Sequence, residues 1–303
     1  MKRTRNYALW LGMALCMPWG LASIASAAEN DNATLVTDTQ RHKPMSDAEW
    51  AALFDENTPL ADRQHVIANL EQSPDLNDPH DLYMLGSLYH MGQHAHGSPV
   101  REDQQKASLY LGNAAIRGSI LAMAKMAELK LTAGQYREAM NWAQIYAHYA
   151  LLSNADYTPR ESYAAELVNR IMDQLGQGAM PDVMKDVNSF VAANDTAIRV
   201  GMAGEAMLEH LHPKSPGHHY YVAPFGQRLP TSGFADYILS FHPDGTVANI
   251  QLIDAVPRTD MGAVLHEMAQ GMTVKPNSQD KTPRYAWVPL LMGNEHYRLW
   301  SRH

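Results

Sequence analysis

Between Asp81 and Ala150 the sequence writes one pattern of small and aromatic residues twice, and this recurrence restricts the fold more than any other stretch. Leu82, Leu85 and Tyr89 fall on one helical face, and Gly92 sits where that helix should stop. After a loop, Val100-Arg101-Glu102-Asp103 leads into Lys106-Ala107, Tyr110, Ala114-Ala115 and Gly118. The unit then returns. Met126-Ala127 takes the place of Leu85-Gly86, Glu138-Ala139 with Trp142 that of Lys106-Ala107 with Tyr110, and Ala147 that of Ala115. Alanine and glycine at such positions let two antiparallel helices cross closely, while tyrosine or tryptophan fills the gap to the next pair. One pair cannot bury its own face, so neighbouring pairs must stack.

Helical signals continue on both sides. Ser46-Asp47-Ala48-Glu49-Trp50 has a capping residue with glutamate three places on, and Asn57-Thr58-Pro59 opens a second helix to about Ser73. Glu161 to Leu175 and Pro181 to Ala193 should cap the stack. From His212 to Ser232 the chain turns rich in proline, glycine and histidine, which marks a boundary. Beyond it the period changes. Ala235 to Phe241 and Val247 to Ile253 are strand-like and flank His242-Pro243-Asp244-Gly245, a hairpin signal. Met261, Val264, Leu265 and Met268 have helical spacing, and Gly271 can end that helix. Tyr285 to Met292 makes a third strand and His296 to Trp300 a candidate fourth. Pro289 cannot donate to a ladder, so its strand should lie at an edge, where an extended peptide could add.

The run Leu85-Gly86, Leu88-Tyr89, Gly92, Val100, Asp103, Lys106-Ala107, Tyr110, Ala114-Ala115 and Gly118 resembles the Sel-one-like repeats, relatives of the tetratricopeptide repeat. The second unit departs from the pattern, with Lys130 where an aromatic is usual. That resemblance implies an α-solenoid holding proteins or peptides in its concave face. Phe241-x-Pro243-Asp244-Gly245-x-Val247, the short helix, Val274-Lys275-Pro276 and Val288-Pro289-Leu290 resemble the C-terminal domain of TonB-type energy transducers. A transducer also keeps a membrane anchor and a long proline-rich span; here helical repeats occupy the place of that span.

Residues 1–27 read as an export signal: Lys2, Arg3 and Arg5, then an apolar run from Tyr7 to Ile24, then Ala25-Ser26-Ala27 as a cleavage pattern. Retained, the segment would instead anchor the chain in the inner membrane facing the periplasm. Cys16 is the single cysteine, so no internal disulfide can form. Removing the three basic residues with the signal takes the formal charge from −8 to −11, which argues against nucleic acid as a partner. Nothing after Ala27 is apolar for long enough to cross a bilayer.

Chemistry is sparse. His90, His94 and His96 cluster in the loop of the first unit, and His210, His212, His218 and His219 at the boundary, each open to a metal or a plain polar reading. Leu265-His266-Glu267 begins like a zinc-protease helix, but Gln270 stands where the second histidine belongs. Asp254 and Asp260 lie on different elements, and no nucleophile elbow or phosphate-cradling loop occurs. The aromatics Tyr83, Tyr89, Tyr110, Trp142, Tyr146 and Tyr149 should mostly fill the stack, with Tyr146 and Tyr149 candidates to line a peptide groove. Trp287, Tyr297 and Trp300 are the matching candidates on the terminal sheet.

The sequence therefore points to a multidomain α plus α+β protein. It divides into a signal (1–27), a flexible leader (28–45), an α-solenoid repeat region (46–211), a linker (212–232) and a small antiparallel sheet with a packed helix, TonB C-terminal-like (233–303). The expected role is periplasmic and non-enzymatic: binding or scaffolding other envelope proteins or peptides, with no cofactor, metal or catalytic residue assigned and self-association through the sheet as an option. An energy-transducer relative and an exported metal-dependent enzyme are the alternatives.

Overall fold

Asp78 and Asp103 begin the two central helices by accepting hydrogen bonds from the first free amides, His80 and Asp81 for one, Gln105 and Lys106 for the other. In the computed structural model the described residues are 43–73, 76–153, 158–205, 211–215, 232–277, 279 and 281–292. Residues 1–42 and the candidate strand at 296–300 lie outside them. The helices among the described residues are α1 (Asp47–Ala52), α2 (Leu60–Glu71), α3 (Pro79–Met91), α4 (Gln104–Ile116), α5 (Ile120–Thr132), α6 (Tyr136–Leu152), α7 (Thr158–Leu175), α8 (Met180–Glu205) and α9 (Met261–Gln270). At α1 the capping box closes: Ser46 Oγ accepts from the Glu49 amide while Glu49 Oε2 accepts from the Ser46 amide.

The helices α3 to α7 pack in sequence, each on the next. Gly86 marks the tightest crossing in the first pair, since a Cβ there would sit 2.6 Å from Leu111 Cγ. Ala107, Leu111, Ala114 and Ala115 are fully buried along the same seam, as the small-residue pattern requires. The next helix, α8, packs on α6 and crosses back to α4. Its Gly201 meets the Arg117 carbonyl so closely that a side chain could not fit.

The sheet comprises β1 (Gly233–Phe241), β2 (Val247–Val256) and β3 (Arg284–Met292), all antiparallel in the order β2-β1-β3. Its hairpin turns at 242–246, where Gly245 adopts φ 91° and Asp244 Oδ1 accepts from the Thr246 amide. Pro289 of β3 lies opposite Asp236 of β1, and among the described residues β3 pairs with no other strand.

Every residue of β1 is buried, so the strand shows no alternation. Ala235, Tyr237, Leu239 and Phe241 face α9, and Phe234 and Ile238 join the core of the helical array. The sequence led to one helix on one face of the sheet. The structure covers the second face as well, with α3 and α5 of the array lying against β2. Array and sheet belong to one compact unit. The fold is thus mostly helical with a three-stranded antiparallel sheet, and among the described residues no helix is long and apolar enough to cross a membrane.

Candidate functional site

Lys125 interrupts the apolar run of α5 and is fully buried where the array meets the sheet. Its Nζ lies 2.6 Å from Asp236 Oδ2 on β1 and donates to Ser87 Oγ of α3 at 2.7 Å. Asp254 Oδ2 on β2 is 2.7 Å away, an ion pair not aligned as a hydrogen bond. Tyr83 Oη donates to Asp236 Oδ2 at 2.7 Å and Trp287 Nε1 to Asp236 Oδ1 at 3.2 Å. The Ala255 amide and His90 Nδ1 contact Asp254 Oδ1, at 2.8 and 2.7 Å. Aromatic faces enclose the ammonium, with the Tyr83 ring centre 4.4 Å and the Phe234 centre 5.5 Å from Nζ.

The electrostatics of this cluster separate its two carboxylates. Burial pushes Asp236 above the ordinary range, and Lys125 only partly opposes that. Burial acts on Asp254 too, but His90 and Lys125 outweigh it and hold that carboxyl below 3.8. The two carboxyls beside Lys125 are thus shifted in opposite directions, Asp236 up and Asp254 down. Burial, then the neighbouring Asp236, pushes the Tyr83 phenol far up, so it serves as a donor. The side chains of Lys125, Asp236 and Asp254 have no exposed surface, which closes the cluster to any diffusing substrate.

A second buried group sits further along the array. Glu128 of α5 accepts from Tyr163 Oη at 2.6 Å and from both terminal nitrogens of Arg170, tying α5 to α7. A third is half open: Glu71 Oε1 accepts from Lys106 Nζ at 2.8 Å and Tyr110 Oη at 2.9 Å, beside a cleft of about 340 Å³.

The histidines of the first loop diverge. His90 points to Asp254, His94 lies 3.4 Å from Glu102, and His96 lies 3.9 Å from Glu56. Among the described residues no group of three histidines, cysteines or acids is placed to hold a metal. His212 is exposed, while His210, His218 and His219 lie outside the described residues. Asp260 stands at the start of α9 without a side-chain cap and pairs with Arg258.

The aromatic candidates fall inside the fold. Tyr146 and Tyr149, which the helical spacing assigned mainly to the stack and which were also candidates to line a groove, are fully buried. Tyr146 packs edge-on against Tyr163, because helical spacing turned it toward the next helix, and Tyr149 Oη reaches Asp195 of α8 at 3.1 Å. Trp287 is half-buried, edge-on to both His80 and Tyr83. Tyr297 and Trp300 lie outside the described residues. The open edge expected at β3 is partly taken too: Asp47 Oδ2 of α1 accepts from the Trp287 amide at 3.0 Å.

Compared with known proteins, the chain matches no family model, no curated protein and no solved structure.

An open concavity lies between α1 and α2. The groove has a volume of about 640 Å³ and a floor of Met45, Ala52, Leu53, Val66 and Leu70. Val66 in its lining is 42% exposed. Glu49 and Asp62 stand on its rim. The Ser46 amide and hydroxyl hold Glu49 below its ordinary range, so the rim is negatively charged. Beneath it the buried Arg63 is spent on the Thr58, Leu53 and Gly97 carbonyls.

Sequence reasoning missed Lys125, Asp236 and Glu128. A usable signal existed: each is a charge set inside an otherwise apolar stretch, Lys125 and Glu128 in ILAMAKMAEL and Asp236 alone in GFADYILSF.

Proposed function

We propose that this is a periplasmic, non-enzymatic binding protein that presents a rigid surface to another envelope protein. The observation that carries the reading is the α1–α2 groove, with an apolar floor, the carboxylates Glu49 and Asp62 beside it and the exposed Val66 in its lining. The charged clusters deeper in the molecule are engaged with one another, which leaves apolar contact as the chemistry on offer outside. Such a groove suits a helical segment with an apolar stripe flanked by lysine or arginine. We read the array as Sel-one-like repeats and the hairpin, helix and third strand as a domain of the TonB C-terminal kind. The buried alanine seam supports the first assignment and the element order the second. Residues 1–27 support export. The energy-transducer alternative draws less support, because α1 already engages the edge of β3. With both faces of the sheet covered, self-association through it would have to use strand edges.

A photocrosslinker placed at Val66 in cells tests this. The reading expects one dominant protein adduct through a basic amphipathic helix, lost when Asp62 is changed to Lys and absent when the crosslinker sits at Met184 on α8. Adducts of equal yield from both positions, or adducts indifferent to Asp62→Lys, contradict it.

A further inference from the structure

We infer that Lys125 and Asp236 condense into an isopeptide bond, with Asp254 as the proton acceptor, so that α5 and β1 are joined covalently. The amine and both carboxyl groups already touch, with Nζ 2.6 Å from Asp236 Oδ2, the oxygen bonded to the carbon to be attacked, and 2.7 Å from Asp254 Oδ2. Each group around them has a role that the condensation needs. Trp287 Nε1 donates to Asp236 Oδ1 and would hold the negative charge that develops there in the tetrahedral intermediate. Tyr83 Oη donates to Asp236 Oδ2, the oxygen that leaves. Burial shifts Asp236 up, towards the neutral acid whose carbon accepts an amine, while His90 and Lys125 outweigh burial at Asp254 and shift it down, towards the carboxylate that takes the proton. Side chains without exposed surface keep bulk water from the new amide.

The step balances without any other reagent. The ammonium passes one proton to the Asp254 carboxylate, and the free amine attacks Cγ of protonated Asp236. The Nζ–Cγ bond forms as the Cγ–Oδ2 bond breaks. Oδ2 departs as water, carrying its own proton and a second one from Nζ, and Asp254 ends protonated. Such a bond would link positions 111 apart in a chain whose single cysteine cannot make an internal disulfide.

Intact mass spectrometry of the purified full chain, its N-terminus read by peptide mapping, tests the inference. The folded wild-type protein is expected to weigh one water less than its sequence, and digestion to give a branched peptide joining Lys125 to Asp236. Asp254→Asn should keep the full mass, and Lys125→Arg should keep it whether or not that variant folds. A folded wild-type chain at full mass overturns the inference, as does a lost water mapped to another pair or an Asp254→Asn chain that still loses it.

Discussion

Two clusters in this protein use the same side-chain types, a lysine, carboxylates and tyrosines, yet burial gives them different weight. At the joint between array and sheet, Lys125 and both aspartates are wholly enclosed. At the junction of α2 and α4, Lys106 keeps 40% and Glu71 19% of their side-chain surface exposed. An enclosed charge that loses its partner stays in a medium that cannot solvate it, whereas an exposed one turns to water. The contrast teaches that hydrogen-bond counts do not rank these sites; solvent access does.

The largest effect should come from Lys125→Met, which leaves two buried carboxylates facing one another. We expect a loss of at least roughly 3–5 kcal/mol in urea unfolding, the scale for breaking a buried ion pair from one side, before any covalent link between Lys125 and Asp236 is counted. A loss under about 1 kcal/mol would erase the contrast, because that is the scale of an exposed pair. Next comes the alanine seam, which the comparison treats as uncharged packing. Ala107→Phe should lower stability by about 1–3 kcal/mol through overpacking where Ala107 has no free surface. An unchanged unfolding midpoint would show that the seam has slack.

A pH experiment sharpens the electrostatic side. Burial, with the nearby Asp78, raises Asp81 from 3.8 to about 6. A carboxyl whose pKa is higher in the folded state holds its proton more tightly there. Its contribution is therefore favourable at acid pH and declines as pH rises from about 4 to about 6. Asp81→Asn should flatten that part of the stability profile. An identical profile in wild type and variant would remove Asp81 from the account. The smallest effect is expected at the open cluster. Lys106→Ala should cost about 1 kcal/mol or less, and the difference should shrink in 1 M salt, where the screening length falls to about 3 Å. A large, salt-insensitive loss there would break the comparison from its other side.

Local chemistry was legible in the sequence. Ser46 with Glu49 capped α1, Gly92 closed α3, Asp244-Gly245 turned the hairpin, and Met261 to Gly271 outlined α9, each through interactions among near neighbours. The joint was not legible, because its contacts span the chain: Tyr83 to Asp236 is 153 positions apart and His90 to Asp254 is 164. Periodicity says which face of an element is apolar, not what will cover it. That is why β1, buried on two sides, gave no alternation, and why Tyr146 could be read as lining a groove when its ring meets Tyr163. The α1–α2 groove was equally hidden, since both helices were expected but their spacing was not.

Native-state hydrogen exchange on α5 and β1 tests most directly whether Lys125 makes the array and the sheet one cooperative body. The slowest amides of the two elements should open with the same free energy and the same urea dependence, and both should fall together in Lys125→Met. If β1 exchanged through a separate, lower-energy opening while α5 stayed protected, the joint would not be the lock described here.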